Sequence, residues 1–152
     1  MNTPVPGNAD LYLVVGYDGS PPSSRALDGA VRLLQNRSGQ IDVVYVAHLS
    51  TVEMMSADAI AEMEVTFDEV ERDLHASASR QLEGREDRWR FVRGQGTITD
   101  QLLAVAARLG EEHPDDTVVI VVGSSSQAAH RLIGSVAVGL ARRAPVPVLI
   151  VP

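Results

Sequence analysis

Thr117 to Val136 reads TVVIVVGSSSQAAHRLIGSV, a β-branched apolar run that breaks at Gly123 into three serines and resumes at Gly134-Ser135. The unbroken apolar run, Thr117 to Val122, is the pattern of a strand buried on both faces, as in the middle of a parallel sheet. The Gly/Ser break is a loop. Gly134-Ser135 opens a helix whose Val136, Ala137, Leu140 and Ala141 are expected to turn inward. Strand, loop and helix in this order form half of a βαβ unit, so the fold depends on whether the unit recurs.

It recurs upstream. Leu11 to Tyr17 (LYLVVGY) is a second near-continuous apolar run, closed by Asp18-Gly19-Ser20-Pro21-Pro22. Leu27, Ala30, Val31 and Leu34 follow at helical spacing, with Ser20 placed to cap the entry and Pro21 suited to the first turn. Ile41 to Leu49 is a β-branched strand. Behind it Ile60, Met63, Phe67, Val70, Leu74, Ala78 and Leu82 make one apolar stripe of a long helix. Arg88 to Arg93 (RWRFVR) alternates polar and apolar residues like a strand with one wet face. After it, Thr97 or Thr99 can cap a helix bearing Ile98, Leu102, Ala106 and Leu109. The chain closes on PVPVLIVP, Pro145 to Pro152, a strand whose prolines suit a sheet edge.

Five alternating strands and helices define an α/β fold with an open parallel sheet and helices on both faces. The runs at Leu11 and Thr117 are apolar enough to be central. The runs at Arg88 and Pro145 have the character of edges. An order of 3-2-1-4-5 satisfies both and puts a topological switch point between strands one and four, where such sheets bind ligands beyond the strands' carboxyl ends. The length of 152 residues fits one domain, taken as 11–152 behind a loose arm, 1–10, that holds two prolines and a glycine.

Composition narrows the function. The net charge of −7 opposes binding to a nucleic-acid backbone, and 53–75 alone holds eight acids against one arginine. All 13 basic residues are arginines, so there is no lysine for a Walker A loop or a Schiff base. The chain has no cysteine. No apolar run is long enough to span a bilayer, and MNTPVPGNAD lacks the pattern of a secretory signal, so a cytoplasmic location is expected.

Two segments flank the expected crevice, Gly16-Tyr17-Asp18-Gly19-Ser20 and the opening stretch. Gly134, Ser135 and Val136 begin a helix, whose free N–H groups can hold a phosphate or simply need a cap. Asp18 can accept from a hydroxyl or amine of a ligand, or tie down its own turn. From Thr117 to the end there are three arginines and no acid, a field that favours an anion. Ser124 to Ser126 with His130 lack the G-x-S-x-G elbow of a serine hydrolase, and no catalytic residue is assigned. His75 and His113 have no partner at metal-ligand spacing, so no metal site is expected. Gly94-Gln95-Gly96 lacks the third glycine of a dinucleotide fingerprint and reads as a turn.

With these pieces in order, the chain resembles the universal stress protein family over essentially its whole ordered length. LYLVVGYDGS, VVGSSS and GSVAVGLARRAPVPVLIVP carry the resemblance. It implies a Rossmann-like sheet of the adenine nucleotide alpha hydrolase type and homodimers that pair their last strands, here Val146 to Val151. It further implies a stress-response regulatory domain that binds ATP or AMP and acts on regulatory protein partners. The family's phosphate pattern, G-x2-G-x9-G-[ST], maps onto Gly123, Gly134 and Ser135, while Asp18 and Val46 fall where the family holds ribose and adenine. Two departures stand out: Ser126 replaces the second glycine, and seven residues rather than nine separate it from Gly134. Ser124, Ser126, His130 and Arg131 offer substitute phosphate contacts. A nucleotide-independent dimeric scaffold is the alternative function, and a slow ATP hydrolase the remaining one.

Overall fold

The computed structural model describes residues 9–47, 56–124 and 134–152. The arm up to residue 8, the end of the expected second strand with His48, and the loop positions Ser126, His130 and Arg131 lie outside these residues.

Among the described residues nine elements alternate as expected: β1 (Leu11–Gly16), α1 (Pro21–Leu34), β2 (Gly39–Ala47), α2 (Ala57–Gln81), β3 (Trp89–Gln95), α3 (Ile98–Glu112), β4 (Thr117–Gly123), α4 (Ser135–Arg143) and β5 (Val148–Val151). The strands form one parallel sheet in the order β3-β2-β1-β4-β5. The two strands read as central are β1 and β4, and the two read as edges are β3 and β5.

Strand alternation divides the core into two layers. Leu13, Val15, Val43 and Val121 point to the layer covered by α1 and the end of α2, where Leu27, Ala30, Ala78 and Leu82 are fully buried. Val14, Val44 and Ile120 point to the opposite layer, against Leu102, Ala106 and Leu109 of α3 and Leu140 of α4. Each helix begins as its sequence directs. The Ser20 hydroxyl caps α1 ahead of Pro21 and Pro22, and Thr97, not Thr99, caps α3 through the Asp100 N–H at 3.2 Å.

Several boundaries and faces differ from the sequence reading. β2 begins two residues earlier, at Gly39, and β3 runs two residues further, to Gln95, which pairs with Ala47. Pro147 precedes β5 rather than interrupting it, and its carbonyl accepts from the Ile120 N–H at 3.0 Å. Ala141 is exposed, because a helix lying on a sheet edge buries a narrower stripe, here Ala137 and Leu140.

The largest difference concerns α2. Only its last turns enter the core: Ala78 and Leu82 are buried, but Val70 is 41% exposed. Gln81 fastens this end to α1 by donating to the Ser24 carbonyl and the Asp28 carboxylate at 2.7 and 2.8 Å. Further along, Glu71 pairs with Arg93 of β3 at 2.9 Å. In the apolar stripe of the middle turns Leu74 still packs against the edge of the core, while Phe67 and Val70 face something other than packed protein.

β2 also buries a charge. Asp42, 1% exposed, takes two hydrogen bonds from Arg90 of β3 at 2.8 and 2.7 Å and one from Gln40 at 2.7 Å. Arg108 of α3 adds a contact at 3.3 Å, so one carboxylate joins the edge strand, the inner strand and a covering helix.

Candidate functional site

What Phe67, Val70 and Leu74 face is a cavity of about 560 Å³ at the carboxyl ends of β1, β2 and β4. That volume lies within the usual range of small-molecule sites, and the position is the switch point between β1 and β4. Gly16, Tyr45, Val46, Val122 and Gly123 come from the strand ends. Tyr17, Asp18, Ser20, Pro22 and Ser23 come from the turn into α1. Gly134, Ser135, Val136 and Ala137 bring in the start of α4, and Ile98 the start of α3.

The β1–α1 turn is built from its own hydrogen bonds. Gly19 has φ of 79°, a left-handed conformation that folds the chain back so that Ser20 N–H donates to the Asp18 carboxylate at 2.9 Å. The buried Ser23 hydroxyl donates to the Ser20 carbonyl at 2.9 Å and accepts from the Asp18 N–H at 3.3 Å. Asp18 thus serves its turn and also lines the cavity, since a carboxylate has acceptor capacity to spare. The protein crowding one side of this rim carboxylate favours the neutral acid, but hydrogen bonds from Ser20 and Ser23 outweigh that and hold its pKa below the ordinary value. It is an anion at neutral pH.

The start of α4 also lines the cavity. Gly134 occupies the cap position in extended backbone, and among the described residues no side chain caps the first turn. The N–H groups of this turn form the positive end of the helix, beside the Ser135 hydroxyl.

Gly123 has a structural duty of its own. A Cβ there would overlap the Pro22 carbonyl, because the end of β4 runs directly beneath the start of α1. Gly16 is different: a Cβ would meet Leu102 at 3.4 Å, an ordinary contact.

Of the residues expected at the site, Gly16, Asp18, Val46, Gly123, Gly134, Ser135 and Val136 come together around the cavity. Ser124 does not line it; its N–H donates to the Val151 carbonyl at 2.8 Å and extends the β4–β5 ladder. Ser126, His130 and Arg131 lie outside the described residues. Of the three arginines behind the basic field expected from the C-terminal third, two stand away from the start of α4. Arg142 and Arg143 stand in the last turn of α4, about 12 Å along the axis from its start, and Arg143 pairs with Asp100 at 2.8 Å. Sequence reading missed the roof, Phe67, Val70 and Leu74, and the wall residues Tyr45 and Ile98. The stripe on α2 was itself the signal: it continues for turns beyond what the sheet can cover.

The comparisons agree with this architecture. The family model described as "Universal stress protein family" matches residues 13–152. The chain therefore belongs to the universal stress protein family. No curated protein matches it. Among solved structures, universal stress protein UspA from Lactobacillus plantarum is similar with a TM-score of 0.69 at 16% identity, over 95% of this chain and 99% of that one. A universal stress protein in complex with cAMP is similar with a TM-score of 0.57 at 26% identity, over 94% and 97%. A universal stress protein family protein from Arabidopsis thaliana with AMP bound gives 0.59 at 12% identity, over 93% and 90%.

Proposed function

We propose that this universal stress protein binds an adenine nucleotide in the crevice between β1 and β4 and regulates through partners that distinguish the occupied from the empty form. One observation carries the reading: Asp18 and the start of α4, whose cap residue Gly134 has no side chain, line a single cavity whose remaining walls are largely apolar. The apolar walls, with Tyr45, Phe67 and Val70, suit a flat heterocycle. Asp18 supplies acceptors for sugar hydroxyls, and the first turn of α4 supplies donors for a phosphate. The similar structures bound to cAMP and AMP support the same class of ligand. No residue of the cavity is assigned a catalytic role.

The reading includes a homodimer formed by β5, an edge strand with an open side and Leu149 37% exposed, and a cytoplasmic setting. Among the described residues no helix is long and apolar enough to cross a membrane.

Calorimetric titration with ATP, AMP and cAMP tests the ligand. Saturable binding of at least one nucleotide is expected, and no heat at millimolar concentrations of all three would refute the reading.

A further inference from the structure

α2 is tied to the rest of the protein along only half of its length. Among the described residues, every hydrogen bond, ion pair and core contact that it makes with another element falls at or beyond Asp68. Asp68 and Glu71 meet Arg93 of β3 at 3.4 and 2.9 Å, Leu74 and Ala78 join the core, and the Ser77 hydroxyl accepts from the Tyr17 hydroxyl at 3.2 Å. Ile60 and Met63 continue the apolar stripe toward the start of the helix, yet among the described residues they belong to neither core layer. The sequence of this untied stretch opposes a helix standing alone. Asp58 with Glu62 and Glu64 with Asp68 are like charges four residues apart, which repel on a helix surface, and α2 has no basic residue before Arg72. Val65 is β-branched and 60% exposed, and the Thr66 hydroxyl bonds back to the Glu62 carbonyl at 3.0 Å, a contact that competes with the helix ladder. Only the Ser56 cap and Asp58 in the first turn favour the start. Ala57 to Thr66 is shorter than the roughly 12 to 15 residues below which an isolated helix is marginal in water. Phe67 and Val70 stand where the untied and tied halves meet, and both line the cavity.

Resting on the nucleotide-binding reading only for the identity of the occupant, we infer that the first half of α2 is a conditional helix, marginal by itself and stabilised when a bound molecule packs beneath Phe67 and Val70. A molecule against these two side chains supplies the apolar contact that the sheet does not reach. By linkage, whatever firms the helix also tightens the hold on that molecule. The difference between occupied and unoccupied protein that a regulatory partner needs then lies at this exposed helix, outside the strands.

The experiment is hydrogen exchange of the full chain read by mass spectrometry, first alone and then with AMP at a concentration that calorimetry shows to be saturating. In the free chain, amides of 58–66 are expected to exchange at least about 100-fold faster than those of 74–81. AMP should slow exchange over 58–70 by at least about tenfold. Without ligand, Glu62→Gln removes one repulsive pair and should slow 58–66, while Arg93→Gln removes the first tie and should carry fast exchange about one turn further, toward Leu74. Uniformly slow exchange along α2 in the free chain would overturn the inference whatever binds, as would exchange unchanged in both variants. AMP binding with 58–70 unaffected would overturn it and leave the nucleotide reading standing. No heat with AMP, cAMP or ATP would remove the nucleotide reading and the coupling together.

Discussion

Arg90 grips the buried carboxylate of Asp42 with two parallel hydrogen bonds, at 2.8 and 2.7 Å, while its own side chain stays 42% exposed. The pair is unequal, since the anion is fully desolvated and the cation keeps much of its water. The two ends should therefore respond differently to removal. Replacing both arginines, as in Arg90→Met with Arg108→Met, strands a buried anion and is expected to cost about 3 kcal/mol. Asp42→Leu frees two arginines that can turn to solvent, and should change stability by less than about 1.5 kcal/mol. Urea denaturation of the two proteins checks the asymmetry. Equal losses would show that the pair acts through something other than desolvation.

Gly123→Ala should destabilise the protein by about 2 kcal/mol, because the added methyl meets the Pro22 carbonyl and forces β4 and α1 apart. Gly16→Ala, with only ordinary contacts around its Cβ, should cost less. Thermal melts without ligand compare them, and an undisturbed Gly123→Ala melt would mean that the two backbones can separate freely.

Asp18→Ala should lower nucleotide affinity by about tenfold, the scale of one charge-assisted hydrogen bond. It also removes the acceptor for Ser20 N–H, but the turn keeps Gly19 and the Ser23 hydroxyl, so the loss of stability should stay within about 1 kcal/mol. Calorimetry and melting of the same preparation separate the effects. Unchanged affinity would remove Asp18 from the site.

Acid should weaken the fold partly through Asp18 and Asp100. Both have folded-state pKa values below the ordinary carboxylate value. At Asp18 the hydrogen bonds from Ser20 and Ser23 overcome desolvation, and at Asp100 the Arg143 and Thr97 side chains hold the anion. The unfolded chain then takes up protons first as pH falls. The stability these groups contribute is complete above the unfolded value, about 3.9, and is lost as pH drops through the folded values. A protein carrying Asp18→Asn and Asp100→Asn should show a shallower decline of stability below about pH 4.5. An acid limb identical to that of the parent would place the sensitivity elsewhere.

The β5 edge can be tested by its alternation. The Pro147 and Val151 carbonyls accept from β4, so the backbone groups of the alternate residues, Val148 and Ile150, point to the open side. Val148→Pro deletes an outward donor without touching the β4 ladder, and should convert a β5-paired dimer to a monomer in sedimentation velocity. A dimer that survives the substitution would need a different interface.

Much of this fold was legible because β1 and β4 are apolar without interruption, which only a strand covered on both faces can tolerate. The prolines around β5 and the alternation in β3 then fixed the edges. Asp42 was not legible, since an acid inside a β-branched run gives no sign of the arginines that meet it from β3 and α3. The site divided in the same way. Asp18 and Gly134-Ser135 stand at element ends, where local chemistry announces them, and they converge. Phe67 and Val70 were read as core, as Leu74 rightly was, because periodicity shows which face of a helix is apolar but not whether packed protein or a cavity lies beneath it. The two distant arginines were overvalued because nearness in sequence to a helix start says nothing of which end of the helix they occupy.

The fit of Gly123 beneath Pro22 affects how much a signature can testify to. A glycine at this position is demanded by two crossing backbones, so it would be found equally in a chain of this fold that bound no ligand. Presence of the first signature glycine therefore separates folded from misfolded sequences better than binders from non-binders. The positions with diagnostic weight are those that packing leaves free, foremost the exposed Ser135, which no neighbour among the described residues obliges to be a serine.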